Sequence, residues 1–190
     1  MDLKRLAFKQ RGVTPVPLVV VIILFANPVP ASMYPGFALV IFGEIIRLWA
    51  VSHAGGATRT RRVGARSLVT TGPYARTRNP LYVGNIFIYL GFAWVANIGL
   101  PWFALLVLGF FGFQYYLIIL LEEEKLTELF EQEYQHYFES VPRLLPRIRP
   151  FPSDSVRKSS LVKALRPEIS TLLAIAVTSL IIAGRFWNIW

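Results

Sequence analysis

Long apolar runs separated by short polar stretches dominate the hydropathy pattern of this chain. Crossing the hydrocarbon core of a bilayer takes about 20 mainly apolar residues in a helix. Five segments approach that length, at residues 13–31, 34–52, 80–98, 100–121 and 169–190. The pattern therefore predicts an all-α, polytopic transmembrane helix bundle of about five spans, with residues 1–190 forming a single integral membrane domain.

Turn-forming residues between these segments predict how the helices are connected. Asn97 and Gly99 separate the third and fourth segments, which predicts a tight turn and an antiparallel helical hairpin. The first segment follows a basic N-terminus, as in a signal peptide. However, Asn27, Pro28 and Pro30 interrupt it and a second apolar segment follows at once, so we expect a retained first helix.

Beyond the fourth segment, the pattern changes to that of an amphipathic helix that continues into water. Apolar residues recur there at steps of three and four positions, namely Leu126, Leu129, Phe130, Tyr134, Tyr137 and Val141. The opposite face carries charged side chains and glutamines. We expect this helix either to lie on the membrane or to cap the cytoplasmic loop.

The charge distribution predicts an orientation in the membrane. The net charge is +9, yet only 16% of the residues are charged, compared with about 25% in a typical soluble domain. All basic residues except Arg47 and Arg185 fall in residues 1–12, 53–79 and 122–166. By the positive-inside rule these three segments are cytoplasmic, the N-terminus is inside and the C-terminus outside. We therefore expect the basic residues to set the orientation of the protein and to face anionic lipid headgroups, and no nucleic-acid partner is expected.

Residue types that carry metal or redox chemistry are scarce. The chain has no cysteine, and its two histidines, His53 and His136, lie far apart in sequence, so no metal site is expected. Glu44 and Arg47 fall inside the second segment at i and i+3 and can pair. They are either a neutralised pair or a group that lines a substrate cavity, and the sequence leaves both open.

Two polar segments carry the candidate chemistry: residues 68–84 and 122–124. Asn79-Pro80 is a helix start, with Asn79 as N-cap, and the free N–H groups of that helix end can hold an anion. The rings of Tyr74 and Tyr82 can face a cation, while Glu122 and Glu123 can accept hydrogen bonds. Taken alone, these residue types favour plain helix caps and interface charges.

The combination of motifs resembles known membrane enzymes. Gly72-Pro73-Tyr74, then the stretch from Arg78 to Gly84, then Glu122-Glu123 resemble the isoprenylcysteine carboxyl methyltransferase and phospholipid methyltransferase families, over residues 55–146. The resemblance implies S-adenosylmethionine as cofactor, held in a cytoplasmic pocket, and leaves residues 167–190 as an extra C-terminal span. The positions implied to bind the cofactor are Arg66, Ser67, Leu68, Val69, Tyr74, Asn79, Pro80, Leu81, Tyr82, Glu122 and Glu123, with Arg59 near a further contact.

Two departures from the prenylcysteine pattern bear on the substrate. Those enzymes have His where this chain has Asn79, and an arginine where it has Ile118. Both differences favour a lipid amine or another lipophilic small molecule, entering sideways from the bilayer, over a prenylcysteine carboxylate. The alternatives are prenylcysteine-type carboxyl methylation, a membrane reductase on a related scaffold and a non-enzymatic membrane scaffold. No general base is identified, and Glu44 and Arg47 are the candidate substrate contacts.

Overall fold

The computed structural model describes residues 2–54, 67–153 and 159–187, and this part of the chain is all-helical without strands. It contains six α-helices and a short 3-10 turn at Gly72–Ala75. The α-helices are α1 (Leu3–Gln10), α2 (Pro15–Phe25), α3 (Pro30–Ala54), α4 (Pro80–Ala96), α5 (Trp102–Ser140) and α6 (Leu161–Phe186). The predicted all-α class is confirmed.

Helix length separates the five predicted spans into three kinds. In the described part of the chain, α3, α5 and the Ala164–Phe186 part of α6 are long and apolar enough to cross a membrane. The predicted first span corresponds to α2 alone, with 11 residues. α2 meets α1 at 54°, so that up to four spans result if the bent pair crosses. α4 has 17 residues, or about 25 Å at 1.5 Å per residue, less than the roughly 30 Å hydrocarbon thickness.

One end of the bundle, here called the Asn97 end, gathers the end of α2, the start of α3 and the ends of α4 and α6. Asn27 N donates to Ala96 O at 2.8 Å, and Asn97 Nδ2 donates to Asn27 O at 3.0 Å. Asn97 adopts a left-handed conformation with φ of 53°, which turns the chain from α4 toward α5. The predicted turn between these two helices is therefore confirmed.

The opposite end, here called the Glu122 end, brings together the described parts of the basic segments that the sequence placed on one side. Arg78 N donates to Pro142 O at 2.9 Å, which joins the start of α4 to the chain after α5. Ser160 N donates to Ser52 O at 3.2 Å, which joins the start of α6 to the end of α3. The side of the membrane on which this end lies stays a prediction.

Four glycines allow the backbones of α3 and α4 to touch. Gly36 and Gly43 on α3 face Gly91 and Gly84 on α4, and the two glycines of each helix are seven positions apart. A Cβ atom at Gly84 would lie 2.7 Å from Gly43 O, and one at Gly43 would lie 2.6 Å from Gly84 O. Such close approach requires glycine, so Gly84 of the motif serves helix packing.

The polar extension of α5 caps the loop before α4. Tyr134, Tyr137 and Val141 are buried and pack with Leu68 before α4 and with Phe151 after α5. Leu129, also assigned to the apolar stripe, is 47% exposed, and two residues later the backbone of α5 departs from helical geometry at Glu131. Of the two predictions for this helix, the structure shows the one in which it caps the loop before α4.

Candidate functional site

The Glu122 end contains a short polar contact between the two central helices. The Tyr82 hydroxyl, in the first turn of α4, donates to Glu122 Oε1 on α5 at 2.9 Å. The Tyr82 ring packs against Tyr115, with ring centroids 4.7 Å apart and an interplanar angle of 32°. An acidic group is thus held beside two aromatic rings, at the point where α5 leaves its apolar segment.

Glu123 forms ion pairs with two arginines. Arg78 Nη2 donates to its Oε1 at 2.8 Å, and Arg143 Nη2 donates to its Oε2 at 2.6 Å. Glu123 and Arg78 are both more than nine-tenths buried. Hydrogen bonding to the Glu123 carboxylate raises the pKa of the Arg143 guanidinium. This triad connects the loop before α4, helix α5 and the segment after α5.

Asn79 occupies the N-cap position of α4 as predicted, but its side chain makes no capping hydrogen bond. The Asn79 Nδ2 group instead donates to Arg143 O at 3.1 Å. The expected side-chain cap is therefore wrong, because the amide is turned toward the chain segment after α5. Asn79 and the Glu123 triad consequently hold the same two chain segments together.

The other positions implied to bind a cofactor differ in exposure. Pro80 is buried, Leu68, Val69, Tyr74 and Leu81 are half-buried, and Ser67 is exposed. Tyr74 O accepts from the Tyr137 hydroxyl at 2.8 Å. Arg66 and Arg59 lie outside the described residues.

Helix α1 joins this end of the bundle, which the sequence did not predict. Lys4 pairs with Glu124, and Phe8 is buried in a cluster that includes Ile118. The Arg11 guanidinium lies 3.7 Å from the centroid of the Phe8 ring and interacts electrostatically with Glu122. The signal was the spacing of Lys4, Phe8 and Arg11, at i, i+4 and i+7, which places the three side chains on one helix face.

The Glu44–Arg47 pair predicted from the sequence is present, with Arg47 Nε 3.4 Å from Glu44 Oε2. It belongs to a larger buried cluster, because Arg47 Nη2 also lies 2.6 Å from Glu168 Oε2 on α6. Arg47 Nη1 also donates to Asn85 Oδ1 on α4. The cluster thus joins α3, α4 and α6.

Among the described residues, no group of three or more His, Cys, Asp or Glu side chains could hold a metal ion. His53 packs against the 3-10 turn, where a Cβ atom on Gly72 would lie 2.4 Å from His53 Nε2. The bare Cα of Gly72, with φ of 62°, makes room for this ring.

A cavity of about 340 Å³ lies at the Asn97 end, among residues 26–30, Arg185 and Phe186. It is far from Glu122 along the helices, so it is not the pocket expected at the cytoplasmic end. A cofactor pocket at the Glu122 end stays a prediction, supported by the side chains gathered there.

Comparison with known proteins gives a family and two relatives. The model of the phospholipid methyltransferase family matches residues 31–133, which include α3, α4 and the contact between Tyr82 and Glu122. Over 126 residues, the chain is 34% identical to the nickel-cobalt-cadmium resistance protein NccN of Alcaligenes xylosoxydans xylosoxydans. It is 29% identical, over the same length, to the cobalt-zinc-cadmium resistance protein CzcN of Cupriavidus metallidurans.

Each of these alignments covers 66% of this chain and 54% of the relative. The chain therefore spans about half the length of the curated relatives it matches. No solved structure matches the chain. Helices α1, α2 and α6 lie outside the residues matched by the family.

Proposed function

The chain belongs to the phospholipid methyltransferase family, and we propose that it transfers a methyl group from S-adenosylmethionine to a lipid or lipophilic acceptor at the cytoplasmic membrane face. The observation that carries the proposal is the Glu122–Tyr82 contact, which lies inside the matched residues and joins α4 to α5. Both residues are among those that the sequence motifs implied for the cofactor.

The side chains at the Glu122 end suit this cofactor. Bound S-adenosylmethionine supplies a methyl group already activated on a sulfonium sulfur. A carboxylate has about four acceptor positions, so Glu122 can hold the Tyr82 hydroxyl and still accept from an amine or ribose hydroxyl. The faces of Tyr82 and Tyr115 attract a positively charged sulfonium by cation–π interaction.

The neighbouring residues position this pair. Glu123, through Arg78 and Arg143, fixes the loop before α4 against the chain after α5. Asn79 supports the same junction through Arg143 O. We propose that the remaining motif positions form the walls of the pocket: residues 66–69, Tyr74, Pro80 and Leu81.

A lipid amine is the acceptor that we favour. The Ile118 side chain is fully buried against apolar neighbours, so the position that holds arginine in prenylcysteine enzymes offers no cation for a carboxylate. The cluster of Glu44, Arg47 and Glu168 contains two carboxylates and one guanidinium, a balance that suits an ammonium headgroup. In this proposal, an acceptor enters sideways and leaves its acyl tails in the hydrocarbon.

Binding of S-adenosylhomocysteine, measured by isothermal titration on the purified chain in detergent, tests the cofactor assignment. Glu122→Gln keeps the shape but removes the charge, and loss of a charge-assisted hydrogen bond of about 1.5–3 kcal/mol weakens binding roughly ten- to hundredfold. Glu128→Gln, whose side chain is 64% exposed on the same helix, is the control and is expected to bind as the parent does.

If the parent, Glu122→Gln and a folded Tyr82→Ala protein bind S-adenosylhomocysteine equally well, the cofactor pocket does not lie at the Glu122 end. A parallel titration with NADPH separates the methyltransferase from a reductase, because the proposal predicts heat only with S-adenosylhomocysteine.

Metal resistance is the second candidate, because the names of both relatives refer to it. Direct metal binding has little support, since no metal-ligand group of three occurs in the described residues. Titration of the purified chain with Ni²⁺, Co²⁺ and Cd²⁺ tests it. Micromolar, saturable binding of one of these ions would favour the second candidate.

A further inference from the structure

The cavity at the Asn97 end carries a positive charge that none of the described carboxylates lies near to balance. It lies between the turn that joins α2 to α3 and the last residues of α6, and Arg185 is the charged residue among those that line it. The described acidic residues are at position 2, in the Arg47 cluster or at positions 122–139. Arg185 is therefore a cation at an end of the bundle where the described residues supply no carboxylate.

Hydrogen bonding leaves part of the Arg185 guanidinium unused. Its Nη2 atom donates to Leu24 O at 2.8 Å, which fixes the side chain across the end of α2. Its Nε atom is buried and has no hydrogen-bond partner. A buried donor on a charged group lowers stability unless an acceptor reaches it, and an anionic acceptor recovers most of the lost free energy.

We propose that this cavity binds a phosphate group, either that of a lipid headgroup or a free phosphate ion. The planar guanidinium fork matches two phosphate oxygens at once. The exposed Asn27 side chain lies in the same lining and adds a polar group. A volume of about 340 Å³ leaves room for a glycerol unit beside the phosphate, since small-molecule sites begin at roughly 300 Å³.

The position of the cavity favours a lipid as the source of the phosphate. Trp187 follows directly after α6 and is 68% exposed, as expected of a tryptophan anchor at a membrane–water interface. Lipid phosphates are concentrated in that layer. The proposed site is independent of methyl transfer, because it lies at the other end of the bundle from Glu122.

A fluorine label reports on the site directly, since the chain has no cysteine. Val29 lines the cavity, and Val29→Cys in the full chain carries a trifluoromethyl group whose ¹⁹F shift is followed in nonionic detergent. The probes are dihexanoyl phosphatidylglycerol, inorganic phosphate and dihexanoylglycerol, which lacks the phosphate. We expect a saturable shift with phosphatidylglycerol and none with dihexanoylglycerol.

Variants of the arginine decide the assignment. Arg185→Gln is expected to weaken the response at least about tenfold, through loss of charge-assisted hydrogen bonds. Arg149→Gln removes the same charge from an exposed position at the Glu122 end and is expected to titrate like the parent. Arg185→Lys keeps the charge and loses the fork, so an intermediate affinity is expected even if Arg185→Gln does not fold.

The two sources of phosphate give different results. Saturation by phosphatidylglycerol alone identifies a lipid site, and saturation by inorganic phosphate as well identifies a small-anion site. An equal response to dihexanoylglycerol, or the same titration for the parent and Arg185→Lys, would overturn the proposal.

Discussion

Replacement of Glu123 by Gln is expected to destabilise the fold more than any other change in the acidic cluster. The Glu123 carboxylate accepts from Arg78 Nε and Nη2 at 3.2 and 2.8 Å, and from Arg143 Nε and Nη2 at 3.1 and 2.6 Å. Removing one partner of a buried ion pair costs about 3–5 kcal/mol. The Arg143 side chain is 34% exposed, so water can replace part of its interaction with Glu123. We therefore expect Glu123→Gln to lower the free energy of unfolding by about 2–4 kcal/mol.

Reversible unfolding in mixed micelles, followed by tryptophan fluorescence while the denaturing detergent is increased, measures this loss. Glu124→Gln is the matched control, because it removes the adjacent carboxylate. The Glu124 side chain is 56% exposed and pairs with Lys4 on the surface, so its loss is expected to cost less than about 1 kcal/mol.

The comparison with Glu122 completes the test. Glu122→Gln is expected to weaken ligand binding while Glu123→Gln lowers the free energy of unfolding. If Glu123→Gln and Glu124→Gln unfold at the same denaturant concentration, the Arg78–Glu123–Arg143 triad does not hold the two chain segments together and the argument fails.

Three further predictions follow from packing, charge and topology. Gly84→Ala is expected to cost about 1–3 kcal/mol of unfolding free energy through the clash with Gly43 O, whereas Gly109→Ala, with nothing within 4 Å, should be neutral or stabilising. Glu168→Gln is expected to cost about 2–4 kcal/mol, measured in the same unfolding assay, because Arg47 loses a buried partner. Single cysteines in place of Val29 and Arg149 are expected to react with a membrane-impermeant reagent from opposite sides, and labelling from one side would refute the topology.

Local signals in the sequence located most of the helices. Apolar runs locate them, and Asn79-Pro80 and Asn97 mark the start and end of α4 as the structure has them. The break between α1 and α2 and the short length of α4 were not apparent, because hydropathy windows measure apolar content and not the continuity of a helix.

Contacts between distant segments explain what the sequence did not predict. Arg47 and Glu168 are 121 residues apart in the sequence. Glu44, three positions before Arg47, already offered a partner for the positive charge of Arg47. Gly43 and Gly84 meet only when α3 and α4 are packed. At the candidate site, the family resemblance named both Tyr82 and Glu122, and the structure joins them by a hydrogen bond. The different surroundings of Glu122 and Glu123 depend on where Arg143 lies.

The most direct test of the central claim is transfer of a labelled methyl group. The purified chain is reconstituted in vesicles that contain phosphatidylethanolamine and phosphatidylglycerol, and is incubated with S-adenosylmethionine labelled in its methyl group. The lipids are then extracted and separated. We predict label in an N-methylated amine lipid, and its loss in Glu122→Gln but not in Glu128→Gln. Absence of label from every lipid, or label found solely as a base-labile methyl ester when a farnesylcysteine analogue is supplied, would contradict the proposed function.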